Sequence, residues 1–200
     1  MRVLVACEFS GIVRDAFRAR GHDAVSCDLL PSEREGPHIQ GDVLAVLSDG
    51  WELMIAHPPC QYLTLAGLHW NNRVPGRREK TGEALAFVRA LLGAPIPRIA
   101  LENPVGCIST HIRKPNQIIQ PYQFGHPESK QTCLWLKSLS PLVATNVLQP
   151  EAYQLNGRPR WRNQTPTGQN RLGPSANRWK LRSLTYQGIA DAMATQWGVA

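Results

Sequence analysis

Eight residues, Met54-Ile55-Ala56-His57-Pro58-Pro59-Cys60-Gln61, constrain this chain more than any other stretch. The apolar run ending at Ala56 reads as a buried strand, and two prolines stop it. Proline has no N–H to give to a ladder, so it cannot continue a central strand. The backbone must leave the sheet there, and Cys60 emerges into the crevice above the strand ends, where open α/β sheets bind ligands. Most free cysteines are small buried hydrophobes. One presented just past a strand end is instead a candidate nucleophile.

A second strand end carries complementary chemistry. Arg98-Ile99-Ala100-Leu101-Glu102-Asn103-Pro104 is another apolar run, closed by a carboxylate, an amide and a proline. The two ends together deliver a thiol and a carboxylate. Upstream, Arg2 to Cys7 reads as a strand, and Glu8-Phe9-Ser10-Gly11 as a tight turn. Ile12, Val13, Ala16 and Phe17 then recur with helical spacing up to Gly21. Asp23 to Cys27 reads as a second strand ending at Asp28, and Ile39 to Val43 as a third short element carrying Asp42. A glycine in the first turn lets backbone approach a ligand, and an acidic residue after the second strand can accept both hydroxyls of a ribose. No Gly-x-Gly-x-x-Gly follows the first strand, so a dinucleotide fold has little support. Asp42 has a helix cap after Gly41 as its alternative reading.

Charge and cysteine usage narrow the classes. The 200 residues predict one domain, divided into a cofactor half (about 1–60), a catalytic half (about 61–140) and a basic loop with a C-terminal helix (about 141–200). With 22 Lys+Arg against 15 Asp+Glu the formal charge is +7, which favours a polyanionic partner, nucleic acid first. The excess is C-terminal: residues 151–182 hold six arginines and one lysine against Glu151 alone. The five cysteines, at 7, 27, 60, 107 and 133, form no Cys-x-x-Cys pair, which argues against a disulfide framework or a zinc ribbon, and no metal is expected. Cys107 and His111 have no matching second pair of ligands. No apolar stretch is long enough to span a bilayer, and the reading is a cytoplasmic protein.

Residues 62–80 are polar and irregular, with Trp70, Arg73, Arg77 and Arg78, and read as a long loop. Glu79 to Leu92 predicts an amphipathic helix. Phe124 to Leu136 reads as a turn leading into an apolar strand. Leu155-Asn156-Gly157-Arg158-Pro159-Arg160-Trp161-Arg162 is a basic segment in which arginine and tryptophan alternate; such a segment either holds a nucleic-acid strand or forms a flexible loop. Leu184 to Gly198 predicts a helix with Ile189, Met193 and Trp197 on one face, packed under the first strand.

Pro-Cys-Gln at 59–61 followed by Glu-Asn-Pro at 102–104 resembles the catalytic pair of the DNA cytosine-5 methyltransferases. Phe9 and Gly11 match that family's Phe-x-Gly-x-Gly turn, with Val13 in place of the second glycine. The resemblance implies a single-domain Rossmann-like α/β methyltransferase fold with a mostly parallel sheet and S-adenosylmethionine as cofactor. Cys60 would then be the nucleophile on cytosine carbon 6 and Glu102 the acid at ring N3, while Asn103 would orient Glu102 or bond the base. Phe9, Ser10, Gly11, Asp28, Asp42 and Pro58 would hold the cofactor. Arg73, Arg77, Arg78, Lys130, Arg160 and Arg162 would contact DNA. His57 would assist the Cys60 thiolate or cap the strand end by a hydrogen bond. The chain departs from the family at Glu128 and Thr132, where a Gln and a base-contacting Arg are expected, and in lacking a large target-recognition region. That economy would suit a phage or mobile-element enzyme. The same chemistry on a free pyrimidine nucleotide or another base, and a catalytically silent nucleic-acid-binding module, are the alternatives.

Overall fold

The computed structural model describes residues 1–149, 151–166 and 171–199. Its centre is a sheet of seven strands in the order β3-β2-β1-β4-β5-β7-β6. The strands are β1 (Arg2–Ala6), β2 (Asp23–Asp28), β3 (His38–Gln40), β4 (Leu53–Ala56), β5 (Arg98–Pro104), β6 (Gln117–Ile119) and β7 (Thr132–Lys137). The first five run parallel, and β7 lies antiparallel between β5 and β6. A seven-stranded sheet in this order, with the one reversed strand next to last, is the Rossmann-like methyltransferase architecture, as expected from the sequence.

The strands read as unbroken apolar runs because both faces of the sheet are covered. Side chains alternate faces along a strand. Val3, Val5, Leu53 and Ile55 therefore join one core cluster, and Leu4, Ala6, Met54 and Ala56 the other. The first cluster is closed by helices α1 (Ile12–Arg18) and α6 (Gln187–Trp197), through Val13, Phe17, Ile189, Met193 and Trp197. The second is closed by α3 (Arg77–Leu92), whose Leu85, Val88 and Leu91 recur every three or four residues. The face assigned to the last helix is the observed one, although the helix starts at Gln187 rather than Leu184.

Three stretches differ from their sequence reading. Residues 62–80 are not one irregular loop: α2 (Leu65–Leu68), a 3-10 turn (His69–Asn72) and the first turn of α3 occupy them. The third short element splits in two. β3 ends at Gln40, and a 3-10 turn over Val43–Val46 is capped by Asp42, which accepts the Leu44 N–H at 2.9 Å. The basic segment forms a hairpin, β8 (Ala152–Leu155) with β9 (Arg158–Trp161). Asn156 and Gly157 both take positive φ (51° and 72°) at its turn, the backbone that a two-residue hairpin loop requires. Helices α4 (Ile108–His111) and α5 (Arg178–Ser183) complete the fold. No helix among the described residues is long and apolar enough to cross a membrane.

Candidate active site

β1, β4 and β5 end side by side, with Ala6 in register with Ala56 and Ala56 with Leu101. The residues immediately beyond those ends therefore share one edge of the sheet, where the strand order reverses about β1 and β4. His57 leaves β4 with its N–H still bonded to the Ala6 carbonyl at 2.9 Å. Pro58 and Pro59 then turn the chain, and Cys60 emerges exposed; the other four cysteines are buried or half-buried. On the neighbouring strand, Glu102 and Asn103 precede Pro104. Asn103 donates from Nδ2 to the Pro58 carbonyl at 2.8 Å, which ties the cysteine-bearing turn to β5.

The two loops beyond these strands are pinned together. Cys107 donates its N–H to the Leu63 carbonyl at 2.8 Å, and Thr64 bridges Gly106. A Cβ on Gly106 would overlap the Leu63 carbonyl, so only glycine allows the approach. Arg77 fastens the same loop, donating to the carbonyls of Gln61 (3.0 Å) and Gly67 (3.4 Å) and lying over the Tyr62 ring.

The Glu102 carboxylate meets His57: Nδ1 lies 3.0 Å from Oε2. Burial pushes the Glu102 pKa up, but the hydrogen bond and charge of His57, then Lys130 and the Thr132 hydroxyl, outweigh it and hold the carboxyl below its ordinary value. Cys60 is moved the other way. Desolvation and then the Glu102 charge raise its thiol pKa, while Arg182, Lys130 and its own main-chain N–H oppose them. Thiol and carboxylate thus sense each other, and each senses Lys130. His57 is the partner of Glu102, so its expected assistance to the Cys60 thiolate is replaced by a different contact.

A cleft of about 460 Å³ adjoins this edge. Asp28 and Asp42 line it, together with Leu29, Pro59, Gln61 and Phe87, so it reaches from the ends of β2 and β3 to the turn bearing Cys60. Asp28 also accepts the Leu30 N–H at 2.9 Å. Glu83 and Lys80 line it as well, and among its three carboxylates Asp28 and Asp42 are the two expected from the sequence to hold an adenosine. Phe9, Ser10, Gly11 and Pro58 are buried and do not line this cleft. Phe9 lies beneath α5, its ring 6.0 Å from that of Trp179. Gly11 takes φ 72° with the Arg14 guanidinium packed against it, so its missing side chain serves an internal contact. Glu8 accepts the N–H groups of Val13 (2.7 Å) and Arg14 (3.2 Å), and so holds the N-terminus of α1, a role that the sequence reading missed.

A second, larger cleft of about 1,080 Å³ opens between α5, the β8–β9 hairpin and residues 126–131. Lys130, Arg160, Arg171 and Arg182 line it, against the single carboxylate of Glu128. Glu128 is engaged by the Tyr186 hydroxyl. Lys130 donates to the Arg182 carbonyl at 3.0 Å and so joins the wall to α5. Of the remaining basic candidates, Arg73 and Arg78 are exposed, Arg78 reaching Asn72 at 2.7 Å. Arg162 is exposed and paired with Glu151. Thr132, where an arginine was expected, is buried on β7 opposite Pro104; its hydroxyl donates to the Lys130 carbonyl at 3.3 Å and helps to lower the Glu102 pKa. It belongs to the floor of the site.

The fold and this edge together define a Rossmann-like α/β protein of methyltransferase architecture. No protein-family model matches the chain, and no curated protein does. Among solved structures it is similar to an Escherichia coli prophage-encoded chain provisionally described as a DNA modification methyltransferase, at 15% identity and a TM-score of 0.41. The match covers 68% of this chain and 46% of that one, so this chain spans less than half the length of that structure.

Proposed function

We propose that this single domain transfers a methyl group from S-adenosylmethionine to carbon 5 of cytosine in DNA, through a covalent adduct with Cys60. The observation that carries the reading is the placement of Cys60 and Glu102 on adjacent strand ends, with the Glu102 charge acting on the thiol, beside a cleft lined by Asp28 and Asp42 among its carboxylates. Asp28 and Asp42 would hold the cofactor, whose sulfonium supplies an electrophilic methyl group.

Carbon 5 of cytosine is a poor nucleophile until the ring's aromaticity is interrupted. The Cys60 sulfur does that by bonding to carbon 6, while ring N3 takes a proton from Glu102. Lys130 and Arg182 favour the thiolate. After methylation of carbon 5, its proton leaves to water, the carbon–sulfur bond breaks and Cys60 departs as thiolate. The four cations lining the larger cleft favour a nucleic-acid strand over a free nucleotide. Lys130 and Arg160 would contact that strand there, while Arg73, Arg78 and Arg162 would meet phosphates outside it. In a duplex the base would be flipped out at a cost of about a few kcal/mol.

The test is transfer of label from radiolabelled S-adenosylmethionine to duplex DNA, single-stranded DNA and free cytidine nucleotides, with wild type and Cys60→Ala. Label in DNA that depends on Cys60 is the expected result. Label in nucleotides alone moves the substrate to precursor metabolism, and DNA binding without label in any acceptor leaves a binding module.

A further inference from the structure

His57 and Glu102 stand 45 positions apart in sequence, yet their side chains meet because β4 and β5 are neighbours. Both side chains are largely out of water, at 9% and 17% exposure. A carboxylate oxygen only accepts, so Nδ1 of His57 carries the hydrogen in this bond. The other imidazole nitrogen, Nε2, is buried and has no partner among the described residues, and the same holds for Oδ1 of Asn103. A buried polar atom left without a partner is costly. Two of them beside one hydrogen-bonded pair make a polar site that a hydrogen-bonding substrate completes.

Glu102 alone is a poor source of a proton at neutral pH, since its surroundings favour the carboxylate. The groups that face the pair are Lys130, the Thr132 hydroxyl and Cys133 from the β7 side, Cys60 beyond β4, and Arg182 of α5 on the far side of Cys60. Of these, the imidazole is the one bonded directly to the carboxylate, and its Nδ1 holds the hydrogen of that bond.

We infer that His57 and Glu102 form one unit that holds a single exchangeable proton for the ring nitrogen of the substrate base, with His57 as the positioning residue that reloads Glu102. This rests on the cytosine reading above. When the sulfur–carbon 6 bond forms, the carbon 5–carbon 6 π pair shifts into the ring. Glu102 takes the Nδ1 proton and passes it to N3, which leaves the imidazole neutral and the carboxylate ionised. When carbon 5 loses its proton to water and the carbon–sulfur bond breaks, N3 returns its proton to Glu102 and thence to His57. One proton leaves the pair and one comes back.

Three variants of the full chain test this: His57→Asn, which can keep an N–H near the Nδ1 position but cannot titrate, His57→Ala and Glu102→Gln. The first readout needs no activity. Proton NMR of wild type should show a far-downfield, slowly exchanging imidazole N–H, and that resonance should vanish in Glu102→Gln. The second is single-turnover methyl transfer to duplex DNA across pH. The wild-type rate should fall on the alkaline side as the pair loses its shared proton. His57→Asn should slow transfer at least about tenfold at pH 7.5 and shift that limb, with KM for DNA within about twofold. A wild-type rate and pH profile in His57→Asn, with loss only in His57→Ala, overturns the inference and leaves a merely geometric role. A wild type with the N–H resonance but no transfer to DNA or cytidine overturns the cytosine reading and with it the destination of the proton. Transfer with no such resonance overturns the pair alone.

Discussion

Replacing Asn103 by Asp changes one NH2 group to an oxygen, and the structure makes that change severe. Asn103 is 1% exposed, and its Nδ2 donates to the Pro58 carbonyl at 2.8 Å. A carboxylate there sets acceptor against acceptor, out of water and beside Glu102 in the chain. Full burial raises a carboxylic pKa by about three to five units. Taking about three, from roughly 3.9 in the unfolded chain to roughly 7, and about 1.4 kcal/mol per unit, the variant loses about 4 kcal/mol at pH 7.5. A raised folded pKa means that stability is intact below the unfolded pKa and is lost as pH rises through the folded one. At pH 4.5 the loss is therefore only about 1 kcal/mol, because the protonated acid can still donate to Pro58. Urea unfolding at both pH values measures this. With a slope near 2 kcal/mol/M, the midpoint should drop by about 2 M at pH 7.5 and by about 0.5 M at pH 4.5. Asn103→Ala is the control: it removes the bond but also the unpaired Oδ1, so it should cost no more than about 2 kcal/mol, equally at both pH values. Equal midpoint shifts for Asn103→Asp at the two pH values would refute the buried donor role.

Other expectations concern the thiol, the loop contact and the smaller cleft. Because Glu102 raises the Cys60 pKa, Glu102→Gln should speed iodoacetamide alkylation of Cys60 at pH 7, by up to about tenfold per unit of pKa released, while Arg182→Ala should slow it; mass spectrometry of the Cys60 peptide decides. Gly106→Ala should force the loops beyond β4 and β5 apart, costing about 1–3 kcal/mol in thermal unfolding and lowering methyl transfer by at least about a hundredfold. Asp42→Ala should remove both a cap and a wall of the smaller cleft, lowering Tm by about 2–4 °C and weakening S-adenosylmethionine binding by about tenfold in calorimetry. A fall in Tm with unchanged affinity would leave Asp42 as a cap only.

Much of the fold and of the site is legible in the amino-acid sequence. Pro58-Pro59 and Pro104 mark strand ends by backbone chemistry alone, and they place Cys60 and Glu102 on one edge of the sheet. Unbroken apolar runs require a sheet covered on both faces, and the spacing in α1, α3 and α6 identifies the covering helices. Asn156-Gly157 also carries a hairpin signal, since both residues tolerate positive φ. The arginines around them point as readily to a solvated loop, which is why the hairpin is not expected from composition. Which partner each polar side chain takes is not legible, because it depends on strand register. The meeting of His57 with Glu102 follows from β4 lying beside β5. The influence of the Thr132 hydroxyl on Glu102 needs β7 to run antiparallel with Thr132 opposite Pro104. The charge of Arg182 acts on the Cys60 thiol although the two residues are more than a hundred positions apart. Local sequence determined where the chain must stop, turn and expose a thiol, because those are properties of single residues and their neighbours. Only the tertiary structure decided which charges act on that thiol, because electrostatic contacts form through space between segments that the chain itself does not join.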